Sequence, residues 1–115
     1  MAASHKPVIW GLFAAGGTLA AFLVPTLILI TCFAAPLGWL PEDFLSFDNM
    51  QRLLQGMLRR PLFGLILVVI LWHAAHRMRI TAHDFGIRND RIVMLCCYGV
   101  AAFGTVSAAV ALLIA

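Results

Sequence analysis

Five side chains offer most of the chemistry in this sequence. His73 and His76 are three residues apart, a spacing that puts them on one face of a helix, and Arg77 follows directly. Trp10 and Phe13 lie near the start. An aromatic plate beside imidazole and guanidinium donors suits a flat molecule with carbonyl oxygens, such as a quinone. The ring would stack on Trp10 or Phe13 while Arg77 or a histidine donates a hydrogen bond to the oxygen. Sites of that kind are mostly apolar with a few fixed polar groups. Each residue also has a plainer reading. Tryptophan at a membrane boundary serves as an interfacial anchor, and arginine near a helix end reaches out to the headgroups. Paired histidines can simply hydrogen-bond to a neighbouring helix, and His83 and Asp84 read as loop residues.

Other chemistry is missing. The sequence contains no nucleophile–base pair, carboxylate pair, metal-ligand spacing or phosphate loop, and Thr105 and Ser107 have no partner base. Cys32, Cys96 and Cys97 are odd in number and lie in apolar runs, which speaks against a disulfide scaffold. A b-type haem between membrane helices takes histidines from two helices. Only the stretch around His73 and His76 supplies them, so no haem is expected unless a partner shares the site. The apolar runs contain no Asp or Glu, whereas proton-coupled transport relies on such intramembrane acids.

The elements that must position these residues follow from composition. Of 115 residues, 63% are hydrophobic and 11% charged, with a mean hydropathy of +0.97. A soluble domain would be about one quarter charged. An all-α integral membrane protein is therefore expected, as one membrane domain over 1–115. The net charge of +3 is scattered over loops, unlike the dense basic stripe that nucleic acid requires. No charge occurs from Pro7 to Pro41, and about 20 apolar residues cross a bilayer, so a first span fits at about 8–35, closed by Pro36, Gly38 and Pro41. Its length exceeds the apolar core of a cleaved signal peptide.

The second run opens with Pro61, a good first-turn residue, but its uninterrupted apolar part ends at Trp72. Twelve residues cover only about 18 Å. To cross, the helix must run through His73, His76 and Arg77 to about Ile80, drawing them to membrane depth. The third span is placed at 92–115. Antiparallel packing then sets Trp10, Phe13, His73, His76 and Arg77 at one depth. Lys6, Arg77, Arg79, Arg88 and Arg91 flank one side, against Arg52, Arg59 and Arg60 on the other. The excess of positive charge favours an N-terminus inside and a C-terminus outside. In the first loop, Leu45, Phe47, Met50, Leu53, Leu54, Met57 and Leu58 recur at near-helical spacing, which predicts a short interfacial helix. Three small-xxx-small pairs (Gly16/Ala20, Gly17/Ala21 and Gly104/Ala108) predict close helix partners.

These residues fall in an order that resembles a known family. Pro7-Val8-Ile9-Trp10-Gly11-Leu12-Phe13-Ala14-Ala15-Gly16-Gly17, Pro36-Leu37-Gly38, and Leu71-Trp72 followed by His76-Arg77-Met78 are similar to the corresponding stretches of the fumarate reductase D-subunit, a hydrophobic membrane anchor. The resemblance covers nearly the whole chain. It implies a membrane anchor of a bacterial quinol:fumarate reductase, multi-pass in the cell inner membrane, with a cytoplasmic N-terminus and a periplasmic C-terminus. Its partners would be the flavoprotein subunit, the iron–sulfur subunit and a second membrane anchor, the C-subunit. Flavin and iron–sulfur clusters would belong to the partners, no haem is expected in the anchor, and menaquinol would be oxidised at a shared site near the inner boundary. The chain itself would be non-catalytic.

On the same resemblance, the quinone-binding residues are Trp10, Phe13, His76 and Arg77. Two positions depart from the pattern. Ala14 replaces a glycine and adds a methyl beside the pocket, and Arg79 and Ile80 stand where histidines are expected. A carboxylate on the second anchor is the expected proton acceptor. The alternatives are a succinate dehydrogenase anchor, a purely structural anchor without quinone contacts, and a small transporter.

Overall fold

A computed structural model describes residues 4–115 of the chain and is helical throughout its ordered elements. Helix α1 spans Lys6–Ile28 with Pro7 in its first turn, where the missing N–H of proline costs nothing. It continues as a π-helical turn over Leu29–Ala34. That wide turn lies between Pro25 and Pro36, each of which removes a backbone donor from the ladder, and single π turns are where a helix absorbs such faults. Gly38, at φ 72°, closes the element. The Trp39 N–H reaches the Ala34 carbonyl at 2.9 Å and the Gly38 N–H reaches that of Ala35 at 3.1 Å, the paired bonds of a Schellman cap.

Helix α2 is short, Phe47–Leu54, and the Ser46 side chain caps it by accepting from the Asn49 N–H. The apolar pattern of the first loop therefore becomes helix over its middle only, leaving Met57 and Leu58 outside. Helix α3 spans Arg59–Asp84 and runs past the end expected near Ile80. His83 and Asp84 are thus not loop residues but the last turn of α3. The stop comes at Gly86, at φ 85°, where the Ile87 N–H bonds to the Ala82 carbonyl at 3.1 Å and the Gly86 N–H to that of His83 at 2.9 Å. Helix α4 covers Asp90–Ile114, with the Asn89 side chain accepting from the Ile92 N–H.

The α1–π element, α3 and α4 are each long and apolar enough to cross a membrane. At 1.5 Å per residue, 25 residues reach about 38 Å, more than the hydrocarbon core of roughly 30 Å. Hydroxyls within the first of them turn back on their own helix. Thr18, Thr26 and Thr31 donate to the carbonyls of Ala14, Phe22 and Leu27, which satisfies polar groups that lipid cannot.

Helix α3 is the centre of the fold. Helices α1 and α4 each pack on it and do not pack on each other, giving a slab with extents of 52 × 35 × 23 Å. The seams are made by small residues. A Cβ on Gly16 would meet the Val69 carbonyl oxygen at 2.5 Å, and one on Gly104 would meet Leu71 Cδ2 at 2.7 Å. Ala101, the least exposed residue described, and Ala75 lie in the α3–α4 seam. The glycines of the three small-residue pairs thus serve packing inside this chain. Large apolar side chains instead cover its outside: Phe22, Phe103 and Leu113 are all exposed.

Candidate functional site

Because α1 and α3 are antiparallel, the first turns of α1 meet the last turns of α3. There Phe13 becomes the hub of a cluster. Its ring stacks on the His73 imidazole at 4.3 Å between centroids, with an interplanar angle of 28°. The His76 imidazole meets the same ring edge-on at 4.9 Å. Trp10 joins at 6.1 Å in an edge arrangement and leaves 70% of its surface exposed. The two edge contacts fall within the 4.5–7 Å favourable for aromatic pairs, and the stack on His73 is slightly closer.

Both imidazoles are anchored through Nδ1. His73 Nδ1 is 2.8 Å from the Phe13 carbonyl oxygen, so α3 is tied to the backbone of α1. His76 Nδ1 is 2.8 Å from the Tyr98 hydroxyl, so the same helix is tied to α4. Gly17 makes room for His73, since a Cβ there would come within 2.7 Å of the imidazole Cε1.

Tyr98 is itself held by two further neighbours. The Trp72 indole stacks on it at 5.7 Å and 20°, while the Trp72 N–H donates to the Thr105 hydroxyl at 3.0 Å. The Arg79 guanidinium carbon lies 5.8 Å from the Tyr98 ring centroid, a cation–π distance. Arg79 then donates two bonds to the Asp90 carboxylate, at 2.8 and 2.7 Å. His83 Nε2 shares that carboxylate at 2.9 Å, and its Nδ1 faces the Ile87 carbonyl at 3.0 Å. Asp90 is therefore a clasp between the end of α3 and the start of α4, holding Arg79 together with His83.

Of the expected site residues, Trp10, Phe13 and His76 come together and His73 joins them. Arg77 stands one residue on along α3, exposed, with no ion pair inside the chain among the described residues. Tyr98 and Asp90 carry no expectation from the sequence, and Arg79 enters there only as a flanking charge and as a departure from the family pattern. Tyr98 had a usable signal. It is the sole tyrosine, and it lies as far after Ile87 as His76 lies before it, so a hairpin of two helices pairs them.

The family model for the fumarate reductase D-subunit matches residues 1–113. The fumarate reductase D-subunit of Mycobacterium tuberculosis is 39% identical over 112 residues, covering 91% of this chain and 84% of its own. The protein of that name from Photobacterium profundum is 34% identical over 98 residues, covering 85% and 82%. That from Vibrio vulnificus is 30% identical over 105 residues, covering 91% and 82%.

Proposed function

Since the chain belongs to the fumarate reductase D-subunit family, a family of membrane anchor subunits, we propose that it docks the flavoprotein and iron–sulfur subunits to the bacterial inner membrane. In this reading it also helps to form the menaquinol oxidation site of a quinol:fumarate reductase. A second anchor, the C-subunit, completes the membrane part. The chain does not perform the reduction itself. Its N-terminus faces the cytoplasm and its C-terminus the periplasm, in keeping with the excess of Lys and Arg beside α1 and around the α3–α4 turn, and α2 lies in the outer interface.

The observation that carries the quinol reading is the meeting of Phe13, His73 and His76 under an exposed Trp10. A quinone needs an aromatic face and donors or acceptors at ring-edge distance, and both kinds of group are present here. Menaquinol would lie between this edge of the slab and the partner subunits. Trp10 packs on its ring, and His76 or Arg77 stabilises its oxygen as protons leave. The guanidinium of Arg77, unspent on any carboxylate among the described residues, is available for that purpose. Flavin and iron–sulfur clusters belong to the partners, and this chain contributes no haem.

The test is a tagged chain extracted from its native membrane in mild detergent. Recovery with a flavoprotein, an iron–sulfur protein and a second small hydrophobic subunit, together with quinol–fumarate activity, is the expected result. In that complex Arg77→Leu should impair quinol oxidation while fumarate reduction from an artificial donor and assembly stay intact. A chain that purifies alone refutes the anchor reading. Quinol turnover untouched by Arg77→Leu leaves Arg77 as a headgroup anchor.

A further inference from the structure

Two of the three histidines of α3, His73 and His76, hold the same aromatic ring, yet their Nδ1 partners are of different kinds. His73 Nδ1 lies 2.8 Å from a main-chain carbonyl oxygen, which can only accept, so this nitrogen carries the hydrogen. In the neutral imidazole its Nε2 is then a bare lone pair. His76 Nδ1 lies 2.8 Å from a phenolic hydroxyl, which can act in either direction. A phenol O–H is a stronger acid than a neutral imidazole N–H, and an imidazole nitrogen is the stronger base. Tyr98 therefore donates, His76 Nδ1 accepts, and the hydrogen of His76 is on Nε2. Among the described residues neither Nε2 has a hydrogen-bond partner, and no buried side-chain nitrogen lacks one. Both Nε2 atoms therefore reach the surface of this cluster.

We propose that the pair is a preset base and donor for a hydroquinone: His73 takes its proton and His76 holds its oxygen. The inference rests on the quinol reading above and adds a residue to it. The hydroquinone O–H bond breaks, an N–H bond forms at His73 Nε2, and the bonding pair stays on oxygen. The oxidation that follows delivers its electrons to the iron–sulfur subunit of that reading. The His76 Nε2–H donates to the oxygen as its negative charge develops, the arrangement in which a fixed donor is worth most. The imidazolium formed at His73 keeps its Nδ1–H bond to the Phe13 carbonyl, now charge-assisted and stronger. Packed on His73, α1 carries no titratable side chain between Pro7 and Thr31. Nearby titratable or charged groups are His76 and Arg77 on α3, with Tyr98 on α4 beyond His76.

The experiment uses the assembled complex of all four subunits. His73→Gln retains an amide donor for the Phe13 carbonyl but cannot take up a proton. Its quinol turnover should fall on the order of 100-fold, the usual loss for a general base, with KM little changed and artificial-donor fumarate reduction intact. Tyr98→Phe frees the His76 tautomer, so KM for quinol should rise. Diethyl pyrocarbonate, which acylates a bare imidazole nitrogen, provides a test on the wild-type complex. Peptide mapping should find His73 modified as quinol turnover is lost, and a quinone analogue should protect both. His73→Gln with wild-type turnover overturns the inference and sends the proton elsewhere, to a carboxylate of the second anchor for instance. So does acylation of His73 without loss of turnover, or no acylation at all. In each of these cases quinol oxidation by the wild-type complex would leave the broader reading standing; a wild-type complex without quinol activity removes both.

Discussion

Adding one methyl group at the α1–α3 seam gives the sharpest test of how the cluster is held. In Gly16→Ala the new Cβ would sit 2.5 Å from the Val69 carbonyl oxygen and 2.7 Å from His73 Cβ, where 3.4 Å is the beginning of ordinary contact. The first obstacle is backbone and cannot rotate away. The helices must therefore part by about 0.9 Å at this level. One turn toward the start of α1, the His73–Phe13 bond would stretch from 2.8 Å to about 3.7 Å, beyond hydrogen-bond range. Overpacking of this kind costs about 1–3 kcal/mol, and a lost interhelical bond in a membrane adds roughly 0.6 kcal/mol. Alanine recovers about 0.5–1 kcal/mol over glycine through its better helix propensity. The net expectation is a loss of roughly 0.6–3 kcal/mol, together with reduced quinol turnover because both imidazoles lose their register on Phe13. Reversible unfolding in a bilayer or mild detergent measures the first, and quinol–fumarate activity of the assembled complex the second. Gly11→Ala is the control, since a Cβ there meets nothing within 4 Å. If Gly16→Ala unfolds and turns over like Gly11→Ala, the close approach of α1 to α3 is not what positions the site.

Trp72→Phe keeps an aromatic face on Tyr98 but deletes the N–H that bonds Thr105 at 3.0 Å, so a loss of about 0.6–1 kcal/mol is expected in the same unfolding measurement. A loss of several kcal/mol would mean that the indole does more than bridge α3 to α4. Asp90→Asn removes the carboxylate that both Arg79 and His83 hold. Hydrogen exchange at the Gly86 and Ile87 amides, which cap α3, should speed up, and unchanged exchange would show that the glycine cap alone closes the turn.

Much of the fold was legible because its signals are long. Runs of apolar residues without charge mark the spans, and the shortness of the run ending at Trp72 forces His73 and His76 to membrane depth. That depth argument is also what pairs Phe13 with His76. The remaining features depend on contacts that no periodicity encodes. Arg79 reads in sequence only as a flanking charge, and only the packing of α4 on α3 places it against Tyr98. The bond from His73 to a main-chain carbonyl leaves no trace in residue type. Gly16 and Gly17 signal close packing correctly, but nothing in their spacing says whether the partner helix is α3 or one from a neighbouring chain.

The slab behaves like a folding screen with two hinged joints. With no contact between α1 and α4, strain introduced at one joint has no direct route to the other, and energetic changes at the two should add independently, as for distant sites generally. His76 is a place where that independence fails, because one imidazole leans on Phe13 of α1 and holds Tyr98 of α4. A displacement of either outer helix is felt there first. Communication across the membrane anchor would thus pass through the same ring that the proposed function sets against the quinol.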